Sequence, residues 1–226
     1  MTDPYYADEY VTLYHGDCLE LVDLWTCADV LVTDPPYGTR FMGSGAGGYG
    51  RRQNAEAAGL GGDCGRDGYT ITNDDTTETR DAALRAWGDR PTIMFGSPRL
   101  PDPPMVVVHR LVWDKKRPGM NGGPWRYQHE TIYVTDGFQR VDNYATSIIT
   151  AWPDQTDHIH AKPLPLMVGL IERCPPGVIA DPFAGSGSTL VAAKRLGRQA
   201  IGVELDEPYC ETAAKRLAQG VLDFDT

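Results

Sequence analysis

The chain has 226 residues, 41% of them hydrophobic, which is enough for one domain with a sizeable apolar core. Disordered and fibrous classes are therefore excluded. The formal net charge of −10 means that the molecule as a whole repels polyanions, so contact with nucleic acid requires a local basic face. Five scattered cysteines without zinc-site spacing suit reduced thiols, and no apolar run is long enough to span a membrane. We expect a cytoplasmic protein without signal peptide, membrane partner or metal.

Short β-branched segments alternate with amphipathic stretches along most of the chain. This pattern predicts an α/β fold, namely a doubly wound, mainly parallel seven-stranded sheet with helices on both faces. The predicted strands are Val11–Tyr14, Asp29–Thr33, Thr92–Phe95, Met105–Trp113, Thr131–Thr135, Val178–Asp181 and Gln199–Leu205. The predicted helices are Cys18–Trp25, Thr77–Trp87, Leu164–Cys174, Ser188–Leu196 and Pro208–Ala218.

The second predicted strand ends abruptly at an acid, two prolines and an aromatic residue, Asp34-Pro35-Pro36-Tyr37. Two prolines restrict the backbone, so the Asp34 carboxylate and the carbonyl after it can be held rigidly beside an aromatic plane. Two such acceptors suit a planar base that carries an exocyclic amine. The alternative is a proline-terminated strand with a surface tyrosine.

Ten of the 25 glycines lie between residues 43 and 68, without a periodic apolar pattern. They predict a long mobile loop at about residues 39–72, within a single domain that covers 1–226. This loop and a basic stretch over 109–126 supply candidate phosphate contacts. The candidates are Arg40, Arg51, Arg52, Lys115, Lys116, Arg117 and Arg126. The alternative for each cluster is a solvated charged face. Core or loop anchors are expected at Trp113, Trp125 and Trp152.

A later strand, over 178–181, runs into a Gly-Ser-Gly turn that opens a helix. Glycine lets the backbone approach a ligand, and the helix N-terminus offers amides to a carboxylate or phosphate. The next strand ends in Glu204, which can accept hydrogen bonds from ribose hydroxyls. Together they predict a cofactor that contains adenosine. Leu190 replaces the third glycine of the dinucleotide fingerprint and no P-loop lysine follows, which weakens NAD and ATP. A plain glycine-rich turn is the remaining alternative.

Asp34–Tyr37 and the string Asp181-Pro-Phe-Ala-Gly-Ser-Gly-Ser188 resemble the catalytic and cofactor motifs of the S-adenosylmethionine-dependent DNA amino-methyltransferases. The catalytic motif precedes the cofactor motif, which resembles the β-class order, a permuted form of the Rossmann-like methyltransferase fold. Further segments resemble motifs of this family, so that the resemblance covers most of the chain. These segments are His15–Leu19, Trp113–Lys116, His129–Tyr133 and His160–Pro163.

The resemblance implies that a methyl group passes from S-adenosylmethionine to the exocyclic amine of a base flipped out of double-stranded DNA, with adenine N6 favoured. Its implied catalytic residues are Asp34, Pro35, Pro36 and Tyr37. Its implied cofactor residues are Asp17, Cys18, Lys162, Asp181, Phe183, Gly185, Ser186, Gly187, Ser188, Thr189 and Glu204.

Other functions stay open at this point. The amine could belong to cytosine N4 or to a base in RNA, and from a different class the chain could be a catalytically silent DNA-binding module. Fewer than thirty residues separate Tyr133 from the His160 motif, where larger relatives carry a target-recognition region. We therefore expect no separate recognition domain, and expect DNA reading to fall on other segments or on a second subunit of a homodimer.

Overall fold

The computed structural model of the protein describes residues 2–37, 76–117, 125–140, 146–152 and 161–219. The chain divides into two compact units, one formed by Met1–Pro35 with Glu78–Thr226 and the other by Pro36–Thr77. Of the second unit, the described residues include Pro36, Tyr37, Thr76 and Thr77. The predicted loop at 39–72, with Arg40, Arg51 and Arg52, lies outside the described residues, and so does His160.

The first unit contains a sheet to which the described residues contribute nine strands. They are β1 Tyr6–Ala7, β2 Val11–His15, β3 Val30–Thr33, β4 Thr92–Gly96, β5 His109–Asp114, β6 His129–Val134, β7 Ile148–Thr150, β8 Ile179–Asp181 and β9 Ala200–Glu204. Their order is β1-β2-β9-β8-β3-β4-β6-β5-β7. The run from β2 to β4 is parallel, β6 is antiparallel to both β4 and β5, and β7 is parallel to β5. The mainly parallel α/β sheet is therefore confirmed, and all seven predicted strands are present.

The two strands that sequence patterning missed, β1 and β7, are short edge strands. The predicted strand from Met105 begins only at His109, because Pro103 and Pro104 start a turn in which the Met105 amide bonds to the Pro103 carbonyl. Ladder pairing with β6 starts at His109, opposite Val134. The prediction relied on apolar composition alone and therefore began this strand too early.

Five helices lie in the described ranges: α1 Val22–Trp25, α2 Glu78–Trp87, α3 Leu164–Ile171, α4 Ser188–Arg195 and α5 Glu207–Ala218. The helix predicted from Cys18 starts later, because the Asp17 side chain accepts the Leu19 amide at 2.8 Å and favours a turn there. The third predicted helix ends before Cys174, whose amide makes a tight three-residue turn to Ile171. Within the described ranges, no helix is long and apolar enough to cross a membrane.

Strand residues alternate between two apolar layers, as a sheet covered on both faces requires. Val30 and Val32 belong to the cluster packed by α3, α4 and α5, whereas Leu31 between them belongs to the cluster with Trp25 and Trp87 of α1 and α2. These two tryptophan rings stack 6.1 Å apart. The doubly wound arrangement predicted from the sequence is thus present in the first unit.

The strand order reverses between β8 and β3. From β8 the chain passes through α4 to β9 on one side, and from β3 it goes on to β4 on the other. In open α/β sheets, ligands bind beyond the carboxyl ends of the strands at such a reversal. The topology therefore points to the segments after Thr33 and Asp181 as the place for a functional site.

Close packing of α4 on the sheet depends on Gly202 in β9. A Cβ atom added to Gly202 would lie 2.6 Å from Leu190 Cδ1 and 3.2 Å from the Ala184 Cβ. In the dinucleotide fingerprint the helix supplies the small residue for close helix–strand packing. Here the strand supplies it, which explains how Leu190 stands where that fingerprint has glycine.

Gly202→Ala should therefore lower the free energy of unfolding by about 1–3 kcal/mol, because the extra methyl group overpacks this contact. Urea unfolding midpoints measure the effect. Gly169→Ala in α3 is the control, since an added Cβ there meets no atom within 4 Å. It should be neutral or stabilising by up to about 1 kcal/mol. Equal midpoints for Gly202→Ala and the wild type would contradict the packing argument.

Candidate active site

Carboxylates follow four neighbouring parallel strands at the same edge of the sheet: Asp17 after β2, Glu204 at the end of β9, Asp181 at the end of β8 and Asp34 after β3. The register fixes this alignment, since His15 pairs with Glu204 and Asp181 with Gly202. The Thr33 hydroxyl donates to Asp181 Oδ1 at 2.8 Å and links β3 to β8 across the reversal. The structure thus brings these predicted site residues to one edge.

The Gly-Ser-Gly turn is tied directly to Glu204. Gly185 and Gly187 have φ values of 52° and 80°, which favour glycine. The Gly185 amide donates to Glu204 Oε2 at 2.7 Å, and the Asp206 amide donates to Oε1 at 2.9 Å. Burial raises the pKa of Glu204, and these two amides partly offset that effect. A Cβ added at Gly185 meets no atom within 4 Å, so the turn leaves room for a ligand.

Arg216 of α5 secures the other side of this turn, a role that sequence reasoning missed. Its guanidinium donates to the Ser186 carbonyl at 2.6 Å, to Ser186 Oγ at 3.0 Å and to Ser188 Oγ at 3.3 Å. From the sequence alone, Arg216 is interpreted only as a basic residue in the last turn of a helix, where a positive charge interacts favourably with the helix dipole. Two of the predicted cofactor serines therefore have structural partners within the protein.

Asp181 is a buried hydrogen-bonding centre, only 2% exposed. Burial raises its pKa to about 6, although hydroxyls of Thr189 and Thr33 and the Phe183 amide favour the charged form. Thr189 thus bonds to Asp181, while Phe183 is half-buried at the entry to the turn. Asp181 organises the strand end and the turn that follows it.

Asp34 contacts a lysine from a distant segment. Lys162, just before α3, pairs its ammonium with Asp34 Oδ2 and lies 3.2 Å from Glu130 Oε2. Burial alone would lower the pKa of Lys162, but the charges of Asp34 and Glu130 outweigh it and raise that pKa above the usual value. The structure places Lys162 on the Asp34 carboxylate, and the role at the cofactor that the resemblance implies for it stays a prediction.

The neighbouring residues Asp17 and Cys18 lie at the end of β2. Asp17 is half-buried, while Cys18 is buried, with its carbonyl accepting the Trp25 indole N–H at 2.8 Å. Burial, together with the Asp17 charge, raises the pKa of the Cys18 thiol to about 12. The thiol therefore stays protonated at neutral pH and is a poor nucleophile.

Exposed aromatic and basic side chains extend this edge beyond β4. The end of β5, the start of β6 and the end of β7 all meet there, because Asp114 pairs with both His129 and Thr150. We call this surface the aromatic edge. It comprises Arg99, Lys116, Arg117, Trp125, Arg126, Tyr127 and Trp152. Trp125 and Trp152 are 85% and 61% exposed, whereas Trp113 is buried as expected of a core anchor.

The side chains predicted to contact phosphate do not all lie on the aromatic edge. The Arg117 guanidinium lies 5.8 Å from the Trp152 ring and that of Arg99 lies 5.6 Å from the Tyr127 ring. Lys116 is 44% exposed and sits 3.3 Å from Asp114. Lys115, by contrast, turns inward and pairs with Glu130. Lys115 therefore belongs with the buried Glu130 carboxylate rather than with the aromatic edge.

The chain is similar to known DNA methylases. Residues 112–215 match the N6/N4 methyltransferase family model, described as DNA methylase. The YubD protein of Escherichia coli (strain K12), named as a methylase, is 37% identical over 97 residues, or 41% of this chain and 43% of that protein. The chain matches less than half the length of its curated relatives.

Two solved structures share the fold over nearly the whole chain. The M1.HpyAVI–SAM complex has a TM-score of 0.61 at 22% identity, covering 91% of this chain and 99% of the other. The cytosine-N4-specific PvuII DNA methyltransferase has a TM-score of 0.61 at 15% identity, covering 100% and 91%. The fold is the Rossmann-like methyltransferase fold. The resemblance of the sequence to the DNA amino-methyltransferases is confirmed.

The pKa of Asp181 leads to a test of the site's electrostatics. Because it rises from 3.8 to about 6 on folding, the folded protein binds more protons than the unfolded chain between these values. The free energy of unfolding should fall as pH rises from about 4 to about 6, with an Asp181 contribution of roughly 3 kcal/mol. Asp181→Asn should reduce this fall. Part of the fall should remain in this variant, because burial also raises the pKa of Glu204.

Urea unfolding at intervals across this pH range measures the fall. Asp23→Asn, which changes an exposed aspartate of α1, is the control and should keep the wild-type pH dependence. An Asp181→Asn protein that also keeps it would show that burial of Asp181 has no net electrostatic cost.

Proposed function

We propose that the protein transfers a methyl group from S-adenosylmethionine to an exocyclic amine of a base in double-stranded DNA. The observation that carries this proposal is the position of Asp34. Its carboxylate follows β3 at the strand reversal, directly beside β8, the strand that leads into the Gly-Ser-Gly turn. A cofactor at that turn and an amine held by Asp34 would meet at one edge of the sheet.

The residues near this turn fit S-adenosylmethionine. Glu204, whose carboxylate is oriented by two backbone amides, would accept hydrogen bonds from the ribose hydroxyls. Asp17 at the neighbouring strand end would accept the adenine amino group, and the open backbone at Gly185 would face the methionine end. When bound, the sulfonium supplies a methyl group that is already electrophilic. The protein therefore has to position the target amine rather than activate the methyl donor.

Asp34 would act on the target amine, which receives the methyl group. The lone pair of an exocyclic amine is delocalised into the ring, so the nitrogen is a weak nucleophile. Acceptors on its two N–H groups, Asp34 and the Pro35 carbonyl, would favour the tetrahedral nitrogen that develops in the transition state. The target must leave the helical stack to reach them. The roles of Pro36 and Tyr37, with Tyr37 stacking on the base, stay predictions from the sequence.

Adenine N6 is the proposed target, on the resemblance of Asp-Pro-Pro-Tyr to the adenine-specific form of the motif. Digestion of methylated DNA to nucleosides tests it directly. N6-methyl-2′-deoxyadenosine as product supports the proposal, while N4-methyl-2′-deoxycytidine would assign the chain to the alternative chemistry represented by the PvuII enzyme. Methylation of RNA alone would overturn the assignment of DNA as substrate.

Two variants separate chemistry from cofactor binding. Asp34→Ala should slow methyl transfer at least about a hundredfold, with S-adenosylmethionine affinity nearly unchanged, because it removes an interaction made mainly in the transition state. Glu204→Ala should instead weaken cofactor binding by about 1.5–3 kcal/mol, the range for a hydrogen bond to a charged group. Calorimetry and transfer of labelled methyl groups to DNA measure the two effects.

A chain that binds DNA but transfers no methyl group would be the silent binding module. Near wild-type transfer by Asp34→Ala would refute the role of Asp34. Binding of NADH in place of S-adenosylmethionine would refute the cofactor assignment.

The aromatic edge is the proposed DNA-facing surface. It lies at the same edge of the sheet as Asp34, and its basic side chains offer a local positive face on an acidic protein. Exposed indole and phenol rings add surfaces on which unstacked bases can lie. Phosphate contacts would come from Lys116, Arg117 and Arg126.

Replacing Lys116, Arg117 and Arg126 by alanine should weaken binding to cognate and scrambled duplexes alike. It should also lower the slope of log K against log salt concentration by up to about 3 units, because fewer counterions are released. Binding titrations across salt concentrations measure this slope. Lys215→Ala on α5, which removes an exposed lysine away from this edge, is the control and should keep it. A triple variant with the wild-type slope would place the DNA elsewhere on the protein or on a second copy.

A further inference from the structure

Four alternating charges connect Asp34 to the β5–β6 hairpin. The Lys162 ammonium contacts Asp34 on one side and lies 3.2 Å from Glu130 Oε2 on the other. Glu130 Oε1 in turn accepts a hydrogen bond from Lys115. These four side chains contact one another in a row in which negative and positive charges alternate. We call this row, Asp34–Lys162–Glu130–Lys115, the charge chain.

The two central members of the charge chain are largely removed from water, whereas Asp34 and Lys115 at its ends are 30% and 29% exposed. The Lys162 and Glu130 side chains are 10% and 12% exposed. The ammonium of Lys162 also lies 5.0 Å from the centre of the Phe95 ring and 5.8 Å from that of Trp113. Charges in such surroundings interact strongly, and removing one member leaves its partner poorly compensated. The position of each charge therefore depends on its neighbours.

Lys162 is shared between two carboxylates, so its hold on Asp34 depends on Glu130. If Glu130 is neutral, its attraction for the ammonium weakens, and the ammonium is drawn onto Asp34, whose charge it then neutralises more completely. If Lys115 is removed, its positive charge no longer compensates Glu130. Glu130 then attracts the Lys162 ammonium more strongly and draws it away from Asp34. Either change alters the carboxylate that would accept the target amine.

We propose that Glu130 and Lys115 are positioning residues for Asp34 and act through Lys162. This inference rests on the proposed function, because it gives the charge chain a role in methyl transfer. Lys162 stays protonated, since the surrounding carboxylates raise its pKa, and it is a fixed donor rather than a base. Glu130 stays ionised, because Lys162 and Lys115 outweigh the effect of burial and lower its pKa.

Glu130→Gln and Lys115→Met test the proposal, alone and combined. Each single variant should slow single-turnover methyl transfer by about tenfold, with cofactor and DNA dissociation constants within about threefold of the wild type. If Lys115 acts through Glu130, the double variant should be at most about twofold slower than the slower single variant. Independent roles would instead multiply to about a hundredfold.

A second measurement needs neither cofactor nor DNA. The 1H–15N resonance of the Lys162 ammonium, followed by NMR in the free protein, should shift in Glu130→Gln and in Lys115→Met. Lys215→Met is the control. Lys215 is an exposed lysine of α5 that pairs with Glu211, so its removal should change neither this resonance nor the transfer rate.

The outcomes distinguish this inference from the function on which it rests. A wild type that transfers no methyl group overturns the proposed function. An active wild type with Glu130→Gln and Lys115→Met at the wild-type rate overturns only the positioning role. Additive losses in the double variant, or a Lys162 resonance unchanged by either single variant, also overturn it.

Discussion

The parallel alignment of β2, β9, β8 and β3 is the constraint on which the rest of this site depends, because it places acidic side chains together at one edge. A buried charge needs a partner. The protein meets this need differently at each position, with an ammonium at Asp34, hydroxyls and an amide at Asp181, and two backbone amides at Glu204. These partners give three chemically similar groups different surroundings and allow them different roles.

Much of the sheet could be predicted from local patterns. Buried parallel strands are short apolar runs, and Asp34 and Glu204 stand where such runs stop, so both the strands and the site edge were recognisable. The edge strands β1 and β7 were not, because two or three residues are too few to show a strand pattern, even where they are apolar, as Ile148 and Ile149 are. Local side-chain bonds also shortened predicted elements, as at Asp17.

The charge cluster around Asp34 could not be derived from spacing. Its members come from three separate parts of the chain, namely the end of β3, the β5–β6 hairpin and the segment before α3. Each member looks ordinary by itself: Lys115 belongs to a basic run, Glu130 to a mixed strand and Lys162 to a Lys-Pro pair. Pairing of β5 with β6, and of β6 with β4, is needed to bring them together. Arg216 was missed for the same reason, since its partners belong to a turn that precedes α5 by a whole strand.

The pairing of β2 with β9 has a consequence for how this protein acquires its shape during synthesis. The N-terminal ribbon of β1 and β2 joins the larger sheet through β9, which is among the last described segments to leave the ribosome. Such a contact is highly non-local, and contacts of this kind are slow to form. The part of the site edge that holds Asp17 and Glu204 is therefore completed late, after the strands around Asp34 are already available to pair.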